Sequence, residues 1–218
     1  MKPFKFENVP NFDDHIMKSI PSFAELNFLV KKLTHDFAQE GTMVVDVGCS
    51  TGRLLRSLDK RDGVWYYGID KIMQPDQEKR ITFFRDNALN LLPFLEPEKE
   101  CSVIISMFTM QFMPFSVRKS FLQMVEDRLC DGGIFICAEK MHLLNPCVES
   151  VVQANLLEWK LQHFSKEEVL DKTIGLKSVM YCQTREDLVN DLNVRIGDTD
   201  PIWQWGQFGA FVSRKTSV

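Results

Sequence analysis

From Ser22 to Gln39 the apolar residues Phe23, Leu26, Leu29, Val30, Leu33 and Phe37 recur at intervals of three and four, the period of a helix with one buried face. Gly41 ends that segment. Beyond it the period changes. MVVDVG, VWYYGID, CSVIISM and GIFICAE are short apolar runs, and RLLRSL and VRKSFLQMVEDRL between them read as helices. This alternation predicts right-handed crossovers and a mainly parallel sheet, because parallel neighbours need the long connection that a helix supplies.

A mostly helical stretch from Pro146 to Leu170, VESVVQANLLEWKLQHF followed by SKEEVLDKTIG, interrupts the alternation. Ser165 is placed to cap its second helix, with Glu168 at the third position. The stretch predicts a helical insert, bounded at 146–182, over the sheet's edge. Thr184 to Leu192 predicts another helix, and PIWQWGQFGAFVSRK predicts two strands around Gly206 and Gly209, so the sheet closes with an antiparallel hairpin. Trp203, Trp205, Phe208 and Phe211 read as the core face of those strands rather than an exposed interface. The expected architecture is an α/β fold in a single domain over 1–218, with 1–40 as an N-terminal helical lid.

Composition removes several classes. With 44% hydrophobic and 26% charged residues, the chain has ordinary globular usage. A net charge of -4 and a pI near 5.6 argue against a general nucleic-acid binder, which needs a basic surface. No run approaches the roughly 18 to 20 apolar residues of a membrane span. The start MKPFKFENVPNFDD lacks the apolar region of a secretory signal, so a soluble, cytoplasmic protein is expected. Six cysteines without a CxxC pair and four histidines without an HExxH spacing predict reduced, structural thiols and no metal.

The stretch MVVDVGCSTGRLL carries the candidate chemistry. In open α/β sheets, small molecules bind where strand carboxyl ends meet helix N-termini. Gly48 lets the backbone turn straight after the strand, and Gly52 lets the helix start approach a ligand closely. Asp46 is placed to orient the loop or meet a cationic group. The third glycine of a dinucleotide fingerprint is missing, and no Gly-Lys-Ser/Thr follows. YYGID ends in Asp70, 24 residues after Asp46, where a carboxylate accepts from ribose hydroxyls. Asp86 follows a third short strand.

The D-x-G-x-x-x-G loop from Asp46 to Gly52 resembles that of class I S-adenosylmethionine-dependent methyltransferases, in which the position of Asp86 meets the adenine amino group. A closer resemblance rests on KSIPSF, DVGCSTG, FTMQF at 108–112, DGGIFICAEK at 131–140 and QWGQFGAF. From about Phe12 to Arg214 these motifs resemble the carboxy-S-adenosylmethionine synthase family. The resemblance implies a Rossmann-like class I methyltransferase fold with a seven-stranded sheet, a homodimer, and transfer of a carboxylate from prephenate onto the methyl carbon of S-adenosylmethionine, for modification of the tRNA wobble uridine. It puts cofactor contacts on Phe23, Gly48, Cys49, Ser50, Asp70, Lys71, Asp86 and Asn87.

Two positions depart from the family pattern. Met107 stands where the family has an asparagine, and can pack on adenosine without matching its hydrogen bonds. Thr173 stands where the family holds an arginine against the extra carboxylate, and a hydroxyl cannot replace a bidentate fork. Lys172 and Lys177 are the candidate substitutes. The expectation is therefore a methyltransferase that binds S-adenosyl-L-methionine or S-adenosyl-L-homocysteine in preference to carboxy-S-adenosyl-L-methionine and acts on a small-molecule substrate. The alternatives are the synthase activity itself and a binder without turnover. Methyl transfer is mainly a matter of positioning. Glu139, with Lys140 and His142 beside it, is the candidate catalytic group at the pocket mouth. No NPPY-type amide-nitrogen signature follows the fourth strand, where the residues are SMFTM.

Overall fold

The computed structural model describes residues 6, 9–72 and 76–216. In chain order the elements are α1 (Phe12–Ser19), α2 (Phe23–Phe37), β1 (Met43–Val47), α3 (Arg53–Arg56), β2 (Trp65–Asp70), β3 (Ile81–Arg85), α4 (Ala88–Leu91) and β4 (Cys101–Met107). They continue with α5 (Phe115–Arg128), β5 (Leu129–Lys140), α6 (Pro146–Leu161), α7 (Lys166–Lys177), α8 (Arg185–Arg195), β6 (Thr199–Trp205) and β7 (Phe208–Arg214). The seven strands form one sheet in the order β3-β2-β1-β4-β5-β7-β6. Strands β1 to β5 pair in parallel, β7 runs antiparallel to β5, and β6 antiparallel to β7. The expected parallel sheet with a closing hairpin is what the chain forms.

All five residues of β1 are buried, because a central parallel strand is covered on both faces. On one face Met43, Val45 and Val47 pack with Phe121 and Val125 of α5 and Leu188 and Leu192 of α8. On the other, Val44, Val103 and Ile105 pack with Leu26 and Val30 of α2, Leu55 of α3 and Leu156 of α6. Phe208 and Phe211 are buried, and Trp203 and Trp205 pack half-buried against the core, so the aromatic run belongs to the interior.

Each helix of the insert has its own start signal. Asn145 accepts from the N–H groups of Cys147 and Val148 ahead of Pro146, which suits a first helical position. Ser165 and Glu168 form the expected capping box on α7. The insert lies against the hairpin turn, where a Cβ on Gly206 would meet Val152, and against α1, where the Trp159 indole donates to Lys18 O at 3.2 Å. Among the described residues no helix is long and apolar enough to cross a membrane.

Candidate functional site

The sheet order reverses at β1, whose neighbours β2 and β4 feed connections to opposite sides, and this opens a crevice at the strands' carboxyl ends. The Gly48 N–H donates to Ile69 O at 2.7 Å and the Cys49 N–H to the same oxygen at 3.2 Å, so the chain leaving β1 is held against the end of β2. Gly48 has φ +79° and Gly52 φ +75°, both in the left-handed region that glycine enters without steric cost. Ser50 lies between them at φ +49°.

Asp70 organises this loop. Its Oδ2 accepts from the Ser50 N–H at 2.9 Å and its Oδ1 from the Ile72 N–H at 2.8 Å. Its carbonyl accepts from the Asp86 N–H at 3.0 Å, which ties in the loop after β3. Asp86 Oδ1 accepts from the Asn87 N–H at 2.6 Å, and Asn87 caps α4 by accepting from Leu89 N–H at 3.2 Å. Each carboxylate oxygen can accept more than one hydrogen bond, so these contacts leave acceptor capacity toward the crevice.

The crevice is a cavity of about 540 Å³, within the usual range for small-molecule sites. Its wall brings together Phe23, Asp46, Gly48, Cys49, Ser50, Asp70, Lys71, Asp86, Asn87 and Met107 from five separate segments. Burial, with Asp70 nearby, pushes the Asp46 carboxyl up to about 7, and burial raises the Cys49 thiol well above its ordinary range. Phe23 stacks in a tilted pair with Phe108 at 6.2 Å, and the Arg53 guanidinium lies 5.7 Å over its ring. Gly52 does not reach the cavity wall: it is buried, and the requirement it meets is the backbone turn into α3.

Glu139 is also displaced from its expected place. It is buried rather than at the mouth, and its Oε1 accepts from the Met110 N–H at 3.0 Å. Burial pushes its carboxyl up to about 8 against the opposing pull of Arg118 and the backbone N–H groups at Met110, Gln111 and Thr109. Arg118, itself buried, donates to Met113 O at 3.1 Å, to Gln183 Oε1 at 2.5 Å and to Tyr181 O. Glu139 thus braces the turn after β4, which carries Thr109 and Gln111 on the cavity wall. Replacement Glu139→Gln is expected to keep the fold and ligand binding, whereas Glu139→Ala strands buried N–H groups and costs about 2 to 3 kcal/mol in urea unfolding. A hundredfold loss of turnover in Glu139→Gln with unchanged ligand affinity would restore the catalytic assignment.

Thr173 is exposed on α7 and does not line the cavity, nor does Lys177. Lys172, one residue earlier and so turned by about 100° around the helix, does. Lys140 at the end of β5 and Lys160 on α6 reach the same cavity, while His142 bonds to Glu149 at 3.0 Å away from it. Lys160 and His15 carried no sequence signal beyond being polar positions of amphipathic helices. Their place on the wall follows from how α1, α6 and α7 close over the sheet.

No family model matches the chain. The chain is 28% identical over 228 residues to carboxy-S-adenosyl-L-methionine synthase of Campylobacter lari, covering 98% of this chain and 95% of that protein. It is 27% identical over 219 residues to the synthase of Staphylococcus epidermidis, covering 97% and 96%. Human N-acetylserotonin methyltransferase in complex with S-adenosylmethionine superposes with a TM-score of 0.54 at 14% identity, over 80% of this chain and 48% of that one. Synechocystis magnesium protoporphyrin IX methyltransferase with bound S-adenosylhomocysteine gives 0.53 at 14% identity, over 88% and 82%. The fold is that of class I methyltransferases, and the resemblance to carboxy-S-adenosylmethionine synthases extends over nearly the whole chain.

Proposed function

We propose that this protein is an S-adenosylmethionine-dependent transferase related to the carboxy-S-adenosylmethionine synthases. The observation that carries the reading is the Asp70 carboxylate, which holds the glycine loop while facing the cavity. The residues fit a nucleoside linked to a cationic amino acid. Asp70 would accept from the ribose hydroxyls, and Asp86 with Asn87 would meet the adenine amino group. Apolar Ile72, Ala88, Leu89 and Met107 offer contact to the adenosine faces. Gly48 lines the cavity, and a Cβ there would collide with the Thr109 side chain beside it.

Bound there, S-adenosylmethionine would supply a methyl carbon activated by its sulfonium. The chain's own part is to position the second substrate and exclude water, the task of α1, α6 and α7 over the cavity. The preference for plain methyl transfer rested on Thr173, and Thr173 stands outside the cavity while Lys172 lines it. That placement favours a second reading, in which Lys172 takes the arginine's part and the carboxylated cofactor is made. A binder without turnover has no need of the amines of Lys140, Lys160 and Lys172 on the cavity wall.

Purified protein is expected to carry S-adenosylmethionine or S-adenosylhomocysteine by mass spectrometry and to bind the latter in calorimetry. Incubation with S-adenosylmethionine and prephenate then separates the readings. Phenylpyruvate and carboxylated cofactor forming together select the synthase activity, and neither forming on a cofactor-bound protein rules that activity out. Absence of any cofactor binding would sink both.

A further inference from the structure

Lys160 stands half-buried on the cavity wall, in the last turn of α6. The residue before it fixes its place, because the Trp159 indole donates to Lys18 O at 3.2 Å and holds α6 against α1. Among the described residues no hydrogen bond or ion pair engages the Lys160 amine. Lys172 on α7 differs, since its amine is hydrogen-bonded to His15 Nε2 and to Ser19 Oγ, the latter at 2.9 Å. Lys140 from β5, Lys172 from α7 and His15 from α1 are the charged or titratable groups coupled to Lys160. The carboxylates of the wall stand on other duties: Asp13 accepts from the Thr51 hydroxyl at 2.7 Å, Asp70 holds the glycine loop, and Asp86 holds the Asn87 N–H.

A partly desolvated amine beside another amine gives up its proton readily, and a neutral lysine amine attacks carbonyl carbon. We propose that Lys160 is a reactive amine that captures an uncharged aldehyde or ketone as an imine, and that such a carbonyl compound is the second substrate of the cavity. The nitrogen lone pair forms the C–N bond while the carbonyl π pair moves to oxygen. The amine's two protons then leave with that oxygen as water, and the nitrogen's remaining pair completes the C=N bond. No oxidant, reductant or further reactant enters the step. Ile16, Met113, Val117, Leu176 and Met180 on the same wall suit an apolar body on the carbonyl. One covalent bond to a fixed helix gives that ligand the defined orientation that group transfer requires. The inference deepens the transferase reading and rests on it for the identity of the other ligand.

The acid–base properties agree in direction. Burial first, and Lys140 second, bring the Lys160 amine down to about 8. At pH 7.5 roughly a quarter of such an amine is neutral, against about a thousandth of an ordinary lysine. The neutral, nucleophilic fraction rises with pH and is nearly complete by about pH 9, whereas that of an exposed lysine is still climbing there.

The test incubates the full chain with benzaldehyde and cyanoborohydride, which reduces an imine to a stable amine, and locates the adducts by peptide mass spectrometry. The other lysines of the same digest serve as the internal reference. Lys160 is expected to be labelled at least tenfold faster than any other lysine at pH 7.5, with or without saturating S-adenosylhomocysteine. Its rate relative to the exposed lysines should fall between pH 7.5 and 9, as their neutral fractions catch up. Lys140→Met should move that fall upward by about half a pH unit or more, and Lys160→Arg should leave only the slow labelling of the exposed lysines. Labelling spread evenly over the lysines, labelling of Lys172 in place of Lys160, or a Lys160 rate that climbs with pH in step with the exposed lysines would overturn the proposal. Protection of Lys160 by S-adenosylhomocysteine would place it in the cofactor's space and overturn the second-substrate assignment. Selective labelling of Lys160 in a protein that binds no S-adenosylhomocysteine would overturn the cofactor reading alone.

Discussion

Gly48→Val is expected to lower affinity for S-adenosylhomocysteine by at least a hundredfold while leaving the sheet folded. Two costs coincide at this position. Its φ of +79° strains any residue with a Cβ, by about 1 to 2 kcal/mol for an L-residue in the left-handed region. A Cβ there would also stand 2.0 Å from Thr109 Oγ1 and 2.6 Å from Thr109 Cγ2, so the turn after β4 must move. Both Gly48 and Thr109 lie on the cavity wall, and the displacement therefore falls on the ligand space rather than on the core. Gly48→Ala should act in the same direction with a smaller effect. Thr109→Ala should partly rescue that variant by removing the two nearest atoms. Near-normal affinity in Gly48→Val, measured on protein with an unaltered circular dichroism spectrum, would remove the glycine loop from the cofactor site.

Much of this arrangement could be read from the residues because its causes are local. A strand that ends in Asp46 and turns at Gly48 is written in the alternation of apolar runs and in glycine's freedom at positive φ. The capping box at Ser165 and Glu168 is equally local, and the sequence placed it correctly. What the residues alone do not place depends on the third dimension. Glu139 reads as a strand end at the pocket mouth, yet the β4 turn folds back over it and its carboxylate accepts from the Met110 N–H. Thr173 was matched to an arginine by register along the chain, but a single step around α7 decides which residue faces the cavity, and that residue is Lys172. Lys160 and His15 are polar residues on amphipathic helices, a pattern that ordinarily means solvent. Only the closure of α1 and α6 over the sheet turns them inward.

The same dependence makes Asp70 the most informative substitution outside the glycine loop. Asp70→Ala is expected to weaken S-adenosylhomocysteine binding by roughly 1.5 to 3 kcal/mol, the usual size for losing hydrogen bonds to a charged group. Part of that loss is direct, since a carboxylate facing the cavity would accept from the ribose hydroxyls. The remainder is indirect, because the Ser50 and Ile72 N–H groups lose the acceptors that hold their loops at 2.9 and 2.8 Å. Asp70→Asn separates the two parts. It keeps one oxygen acceptor but puts an NH₂ donor in place of the other, so one of the two backbone N–H groups must lose its partner. Its affinity should fall between the wild type and Asp70→Ala. Asp86→Ala should cost less, because Asp86 holds only the adjacent Asn87 N–H in the described hydrogen bonds of its side chain and organises no second loop. Calorimetry on the three variants orders them. An Asp70→Ala protein that binds as tightly as the wild type would move the ribose contact elsewhere on the wall, and an Asp86→Ala loss larger than that of Asp70→Ala would make the loop after β3 the principal nucleoside contact.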